Sequence, residues 1–316
     1  GAHQLHQLQE NILRSHAAGL GEPLPPEIVR WMLLFKVCGL IRGHSGVQPQ
    51  TVDRLVDFFN EGLMPVVPRQ GSLGASGDLA PLSHMCLPLM GEGELMQQDA
   101  KGQWRTRPAA DIHQEKGWSP IDLGPKEGLA LINGTQMMSA LLAHSLQHLE
   151  HLWTEAHGIA SLSLAAFEGL GAPFHPAVHD LRQHAGQQAS AGEMRRWLEG
   201  AAFLRETHEW VQDPYSFRCI PQVYGAVRTA IDRGIETLEG EATAVTDNPI
   251  LLPDTGEVIS AGNFHGEPLA IVLDHLKVAA SELGIEQYII TKALTKAPHD
   301  YPDAKSQPHV QVAKAM

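Results

Sequence analysis

Apolar residues recur at intervals of three and four positions through most of this 316-residue sequence, which is the spacing of one face of an α-helix. Leu5, Leu8 and Ile12 show it first, and Pro25-Pro26-Glu27 then marks the first turn of a second helix. Strands alternating with helices are not found. We therefore predict a mainly α, helical-bundle fold, with helices over residues 5–17, 26–40, 51–62, 79–90, 135–157, 161–170, 193–207, 222–239 and 268–290.

Turn residues predict a few short hairpins and one loop in this helical chain. Lys101-Gly102 and Asp254-Thr255-Gly256 each separate short runs of strand-like residues. The Gly-, Ser- and Gln-containing segment 183–192 is typical of a surface loop. Thr51 and Asp78 stand where N-caps of the following helices are expected. Since no linker or repeat interrupts the pattern, we predict a single domain over residues 1–316.

The charge balance excludes several classes of partner. The chain has 23 basic and 36 acidic residues and a net charge of −13, whereas nucleic acids and anionic membranes bind dense basic patches. A run of eighteen apolar residues, which would span a bilayer, is not found, nor is a secretory leader. We therefore expect a cytoplasmic protein with no nucleic-acid or membrane partner.

Cysteine and histidine usage gives no metal site. The three cysteines are too scattered for a disulfide framework or a CxxC site, and we expect buried, reduced thiols at Cys38, Cys86 and Cys219. Three of the 18 histidines, at positions 144, 148 and 151, have ligand-like helical spacing. No carboxylate accompanies them as in known zinc motifs, so we predict that no metal is bound.

A glycine-rich segment, residues 70–77, interrupts the helical pattern before Asp78. It lacks the GxxxxGK[ST] pattern of a phosphate-binding loop and the GxGxxG pattern of a dinucleotide fold. By composition alone it would be a flexible connection that ends in a helix cap.

The run Ala75-Ser76-Gly77-Asp78-Leu79-Ala80-Pro81-Leu82 resembles the signature of the aromatic amino acid ammonia-lyase family, which includes histidine, phenylalanine and tyrosine ammonia-lyases and related aminomutases. Three more segments resemble family motifs in the same chain order: LINGTQ at 131–136, VQDPYSFR at 211–218 and GNFHGEP at 262–268. The resemblance covers about residues 5 to 284 and is closest to the histidine branch. It implies a helical ammonia-lyase-like fold and a carbon–nitrogen lyase.

The resemblance also implies a prosthetic group made from the chain itself. In the family the Ala-Ser-Gly triplet, here Ala75, Ser76 and Gly77, cyclises unaided into a methylidene-imidazolone, so no diffusible cofactor is expected. The amide nitrogen of Gly77 would attack the carbonyl of Ala75, which needs a sharply bent backbone with little side-chain bulk. Ser76 would then lose its hydroxyl as water and become an electrophilic methylene.

Site residues follow from the resemblance position by position. Asn133 would hydrogen-bond near the ring, Tyr215 would assist proton movement, and Gln212 would orient the substrate. Arg218 would grip the substrate carboxylate with its guanidinium fork. Phe264 would pack near the ring. Taken singly, each of these residues also has an ordinary structural interpretation, such as a helix cap, a core-edge phenol or a surface cation.

The substrate prediction depends on one histidine. Ser15-His16-Ala17-Ala18-Gly19 resembles the SHAAG stretch of histidine ammonia-lyases, whose phenylalanine-specific relatives carry an apolar residue at the histidine position. The His16 imidazole can hydrogen-bond a substrate ring that contains nitrogens. We predict that ammonia is eliminated from L-histidine to give urocanate. A tyrosine or phenylalanine lyase or aminomutase is the alternative within the same family.

Two departures from the family pattern lead to further expectations. Family members carry a Tyr-Gly-x-x-Thr-Gly-Phe-Gly loop, which this sequence does not show. The sequence from Ile285 also does not match the family's C-terminal helical region. We expect a chain that lacks both segments, with a loosely ordered tail over 297–316. The resemblance implies a homotetramer, and an inactive, truncated ammonia-lyase-like subunit is a further alternative.

Overall fold

The computed structural model describes residues 2–201 and 212–300, and it confirms the mainly α fold. In chain order the helices are α1 (Ala2–His16), α2 (Pro26–Leu40), α3 (Pro49–Asn60), α4 (Leu79–Cys86), α5 (Ala109–Lys116), α6 (Glu127–Ile132), α7 (Gln136–Phe167), α8 (Pro176–Asp180), α9 (Ala185–Trp197), α10 (Tyr215–Arg218), α11 (Ile220–Ala242) and α12 (Glu267–Asp300). Short 3₁₀ helices lie at Leu87–Met90 and Ala172–Phe174.

The strands are short and pair antiparallel. They are β1 (Leu20–Pro23), β2 (Met64–Pro65), β3 (Pro68–Gln70), β4 (Glu94–Gln98), β5 (Trp104–Pro108), β6 (Ile250–Leu252) and β7 (Glu257–Ile259). β1 pairs with β3, β4 lies between β2 and β5, and β6 pairs with β7. Both predicted hairpins are confirmed, at β4–β5 and β6–β7.

The chain divides into two compact units, and the single-domain prediction stays a prediction. One unit runs to His144 and includes Glu236–Ile271; the other includes Ser145–Ile235 and the chain from Val272. The core of the first unit is formed by apolar residues of α2, α3, α4 and the β2–β4–β5 sheet, among them Met32, Leu33, Leu55, Phe58, Leu82 and Leu95. This core supports the glycine-rich segment, which connects β3 to α4.

Three local predictions were wrong, two of them because contacts distant in sequence outweighed the local pattern. Thr51 is not an N-cap: it lies inside α3, where its hydroxyl donates to the carboxylate of Glu127. The predicted helices 135–157 and 161–170 are one continuous helix, α7. Its Gly158 lacks a neighbouring proline, and a single glycine weakens a helix by only about 1 kcal/mol.

The predicted loop at 183–192 is largely helical. α9 begins at Ala185, and its small residues allow a close approach to α11. A Cβ built on Gly186 would lie 2.1 Å from the carbonyl oxygen of Gly225, so the two helix backbones touch there. Gly186, one of the glycines that indicated a loop, therefore lets two helices pack closely.

Two of the predicted segments lie only partly within the described residues. α12 extends to Asp300 and so includes residues 297–300 of the predicted tail, while 301–316 lie outside the described residues. The predicted helix 193–207 is confirmed only as far as Trp197, where α9 ends, and its residues 202–207 lie outside the described residues. Among the described helices, none is both long and apolar enough to cross a membrane.

Candidate functional site

The Ala75-Ser76-Gly77 triplet lies in a tightly turned loop between β3 and α4. Gly74 and Gly77 have φ angles of +73° and +82°, a backbone region that favours glycine. The Gly77 N–H points back to the carbonyl oxygen of Gly74 at 3.4 Å, and the backbones of Ala75 and Gly77 pair as an isolated bridge. Ser76 is exposed, whereas Gly77 is buried. The turn therefore leaves the Ser76 side chain exposed to solvent and buries the backbone of Gly77.

The 131–136 motif lies directly against this loop. The backbone N–H of Asp78 donates to the carbonyl oxygen of Gly134 at 2.7 Å. A Cβ built on Gly77 would lie 2.7 Å from that same oxygen, so only glycine fits at this contact. Asn133, which is buried, donates from its side-chain Nδ2 to the carbonyl oxygen of Ser76 at 2.9 Å. The structure therefore brings Asn133 and the triplet together.

The 262–268 motif reaches the same loop from another direction. The backbone N–H of Gly266 donates to the carbonyl oxygen of Gly74 at 3.0 Å. Met138 of α7 fills the space between these two glycines, since its sulfur would lie 2.4 Å from a Cβ on Gly266 and 3.2 Å from one on Gly74. Phe264 lies two residues before this contact and is half-buried. Its predicted packing near the ring stays a prediction.

Asp78 has a larger role than the helix cap predicted for it. Its side chain makes no cap bond to α4 and instead accepts from the backbone N–H groups of Met137 at 2.8 Å and Met138 at 3.0 Å, in the first turn of α7. The hydroxyl of Ser72 donates to its other oxygen at 2.5 Å. Burial raises the pKa of the Asp78 carboxyl to about 6, although these three donors oppose the shift.

Lys36 is a second group that the sequence analysis missed. It lies on the buried face of α2, with 2% of its surface exposed, and its Nζ donates to the backbone carbonyl of Asn133 at 3.0 Å. Burial lowers the pKa of its ammonium group to about 8. A lysine within the apolar run Trp31–Ile41 is the sequence signal that could have identified it.

His16 ends α1 and is half-buried. Its Nδ1 donates to the carbonyl oxygen of Ile12 at 2.8 Å, since a carbonyl can only accept. In the neutral ring this bond makes Nε2 the acceptor nitrogen. Three residues later, the N–H of Gly19 donates to Nε2 of His84 at 3.0 Å. His84 belongs to α4, so the His16 segment is tied to the helix that follows the triplet.

The remaining predicted residues, Gln212, Tyr215 and Arg218, belong to the second unit. Gln212 is exposed, and Tyr215 has 72% of its surface exposed. The guanidinium carbon of Arg218 lies 4.9 Å from the centre of the Tyr215 ring, and its Nε donates to the carbonyl oxygen of Asp213 at 2.8 Å. The structure therefore brings Arg218 and Tyr215 together, and the roles of all three residues stay predictions. Val211, the first residue of their motif, lies outside the described residues.

The side chains that the structure describes offer no metal centre. Within them, no group of three or more His, Cys, Asp or Glu side chains could hold a metal ion. The histidines of α7 at positions 144, 148 and 151 do not form such a group. The polar side chains around the triplet are instead an amide, a carboxyl and an ammonium group that bond to backbone atoms, and a hydroxyl that bonds to the carboxyl.

The sequence and the fold were compared with known proteins. The family model described as aromatic amino acid lyase matches residues 1–291. The chain belongs to the aromatic amino acid lyase family. Its sequence is 49% identical to the histidine ammonia-lyase of Symbiobacterium thermophilum over 284 residues, which is 90% of this chain and 55% of that protein.

Solved structures of the family share the fold. A histidine ammonia-lyase from Trypanosoma cruzi superposes with a TM-score of 0.83 at 38% identity, over 94% of this chain and 56% of that one. A tyrosine aminomutase from Streptomyces globisporus superposes with a TM-score of 0.85 at 32% identity, over 93% and 58%. The chain thus spans a little more than half the length of these relatives. The fold alone does not separate a lyase from an aminomutase within the aromatic amino acid lyase family.

Proposed function

We propose that this chain is a carbon–nitrogen lyase that eliminates ammonia from L-histidine to give urocanate. The observation that carries the proposal is the tightly turned triplet loop, in which Ser76 is exposed and its carbonyl oxygen accepts from the side-chain amide of Asn133. The 49% identity to a histidine ammonia-lyase supports the choice of reaction.

The residues of the loop fit the methylidene-imidazolone that the family resemblance implies. Closure would join the nitrogen of Gly77 to the carbonyl carbon of Ala75 with loss of one water. Ser76 would lose its hydroxyl and its Cα hydrogen as a second water. The positive φ of Gly77 and the absence of space for a Cβ there suit a backbone that closes on itself. When formed, the group supplies an electrophilic methylene at position 76.

Asn133 is suited to help this conversion. Loss of the Ser76 Cα hydrogen places negative charge on the Ser76 carbonyl oxygen, and the Asn133 amide donates to that atom at 2.9 Å. α4 begins at Leu79, so its N-terminus also faces negative charge that develops in this loop.

His16 carries the proposed preference for histidine. Because its Nδ1 is bonded to Ile12, its Nε2 is an acceptor that can take the N–H of a substrate imidazole. A phenyl or phenol ring offers no N–H at that position. Substrate histidine is therefore favoured over phenylalanine, which leaves this polar nitrogen without a donor, and over tyrosine, whose only ring donor is its phenol O–H.

Arg218 carries the proposed contact with the substrate carboxylate. The bond from its Nε to Asp213 fixes the plane of the guanidinium, whose Nη groups match the two oxygens of a carboxylate. Gln212 and Tyr215 lie on the same segment and are proposed to orient the substrate and to assist proton movement. Phe264 is proposed to pack near the prosthetic ring.

The proposed oligomeric state is based on the family resemblance, and the proposed cellular location is based on the composition. We propose a homotetramer located in the cytoplasm, with a small amino acid as its ligand. Light scattering of the purified chain measures the assembly directly, and a monomer would contradict it.

The proposed function is tested by the intact mass of the purified chain, followed by peptide mapping. We expect a deficit of two waters in the peptide that holds Ala75–Gly77, with S76A as the control that cannot form the methylene. Turnover of histidine, followed by the absorbance of urocanate, is then measured with wild type and H16L. An unmodified mass would favour the inactive-subunit alternative, and equal histidine turnover by H16L would overturn the substrate assignment.

A further inference from the structure

We propose that Lys36 is a positioning residue for the prosthetic triplet, acting through Asn133. The inference rests on the proposed function, since it concerns how the Ala75–Gly77 loop is converted. Within the part of the chain that the structure describes, the Lys36 ammonium forms no hydrogen bond with the triplet. It bonds instead to the backbone carbonyl of Asn133, whose side chain holds the carbonyl oxygen of Ser76.

The first argument is geometric. Asn133 ends α6, and its extended backbone (φ −87°, ψ +131°) turns its carbonyl away from the helix. That carbonyl would be a buried acceptor without a helical partner, and the Lys36 ammonium meets it at 3.0 Å. With the Asn133 carbonyl fixed on one side, its side-chain amide is directed to Ser76 on the other.

The second argument is the energetic cost of the lysine. Its neighbours on the buried face of α2 are apolar, including Met32, Leu33 and Leu40, and an apolar side chain would fill this place without desolvating a charge. Two buried carboxylates, Asp78 and Asp247, favour the charged form of Lys36 electrostatically. Ionisable groups that are perturbed by burial and by specific charged neighbours cluster at functional sites.

The third argument is the negative charge that develops on the triplet when Ser76 loses water. Dehydration of Ser76 places negative charge on its carbonyl oxygen, and the Asn133 amide is the donor to that oxygen. An ammonium group on the Asn133 carbonyl polarises its peptide and adds a positive charge behind the donor. The Lys36 side chain thus lies where a fixed cation favours the charge that develops on the triplet.

The test compares wild type with K36M, which keeps the length of the side chain and removes its charge. L33M is the matched control, because Leu33 is buried on the same face of α2 and loses no polar contact. The first measurement is the fraction of chains that have lost two waters, read from the intact mass at intervals after synthesis. We expect K36M to close at least tenfold more slowly than wild type and L33M.

The second measurement is amide hydrogen exchange over residues 72–78 and 130–136, which reports the Asn133 clamp whether or not the ring has formed. We expect faster exchange there in K36M, with unchanged protection of α2. If wild type and K36M lose water equally fast, or if neither closes and their exchange is the same, the role of Lys36 is refuted. If wild type does not close but K36M loosens the two segments, the positioning contact is supported and the proposed function fails instead.

Discussion

The carboxylate of Asp78 accepts the backbone N–H of Met137 across 2.8 Å and so caps a helix to which it does not belong. Asp78 is the first residue after the triplet, and Met137 lies in the first turn of α7. The N-terminus of a helix is a favourable place for a negative charge, because its first N–H groups have no partner within the helix. The end of the triplet loop and the start of α7 are therefore fixed by the same side chain.

Replacing this carboxylate should destabilise the first unit strongly. In D78A the donors of Ser72, Met137 and Met138 lose their acceptor, and each buried donor left without a partner costs roughly 1–3 kcal/mol. We expect the free energy of unfolding in urea to fall by about 3 kcal/mol or more. D57A, on the exposed side of α3, is the control and should change it by less than about 0.5 kcal/mol. A loss in D78A no larger than in D57A would contradict the capping role.

The same group predicts a pH dependence of stability. Because the pKa of Asp78 is raised from 3.8 to about 6, the folded state binds its proton more tightly than the unfolded state. Its contribution to stability is present below pH 3.8 and is lost as the pH rises through 6. Between pH 7 and pH 4.5, wild type should gain roughly 2 kcal/mol relative to D78N, which does not titrate. Urea unfolding of both proteins at the two pH values measures this difference, and parallel changes would exclude the raised pKa.

The sequence predicted the elements whose signals are local, and it missed the contacts that join them. Pro26 at the start of α2 and Lys101-Gly102 in the β4–β5 turn specify their structures through their own backbone preferences. Asp78 was placed correctly before α4, but its partners in α7 could not be read from neighbouring residues. The first part of α9 was missed for the same reason, since Gly186 is explained only by its contact with α11.

In the candidate site, too, some residues were predicted from the sequence and others became evident only from the structure. The motif resemblance identified Asn133, and the structure adds the bond from its amide to Ser76. Lys36 carries no motif of its own, and its role depends on a carbonyl that lies far along the chain. Sequence patterns therefore locate the groups with distinctive neighbours, whereas supporting groups emerge only when the backbone is folded.

Gly77 offers a test of how tightly the triplet loop is packed. G77A places a Cβ 2.7 Å from the carbonyl oxygen and 2.9 Å from the nitrogen of Gly134, two backbone atoms that cannot turn aside. Gly102 has a similar φ, +75° against +82°, but a Cβ there would meet no described atom within 4 Å, so G102A carries the backbone strain without the clash. We expect G102A to lose about 1 kcal/mol and G77A clearly more, measured by urea unfolding. Equal losses would mean that the contact with Gly134 is not close.

His84 should hold the His16 segment in a pH-dependent manner. Gly19 donates to Nε2 of His84 at 3.0 Å, which requires that this nitrogen carry no proton. Burial lowers the pKa of His84, so the bond is present at neutral pH and is lost as the pH falls through that lowered value. In H84L, exchange of the Gly19 amide should be roughly five- to tenfold faster at pH 7, because a hydrogen bond contributes about 1 kcal/mol. H151L, at an exposed histidine of α7, is the control and should leave that exchange unchanged.

Acidification tests the same bond without a substitution. After subtraction of the intrinsic effect of pH on amide exchange, lowering the pH should accelerate exchange of the Gly19 amide more in wild type than in H84L. If the two proteins respond equally, His84 does not hold the segment.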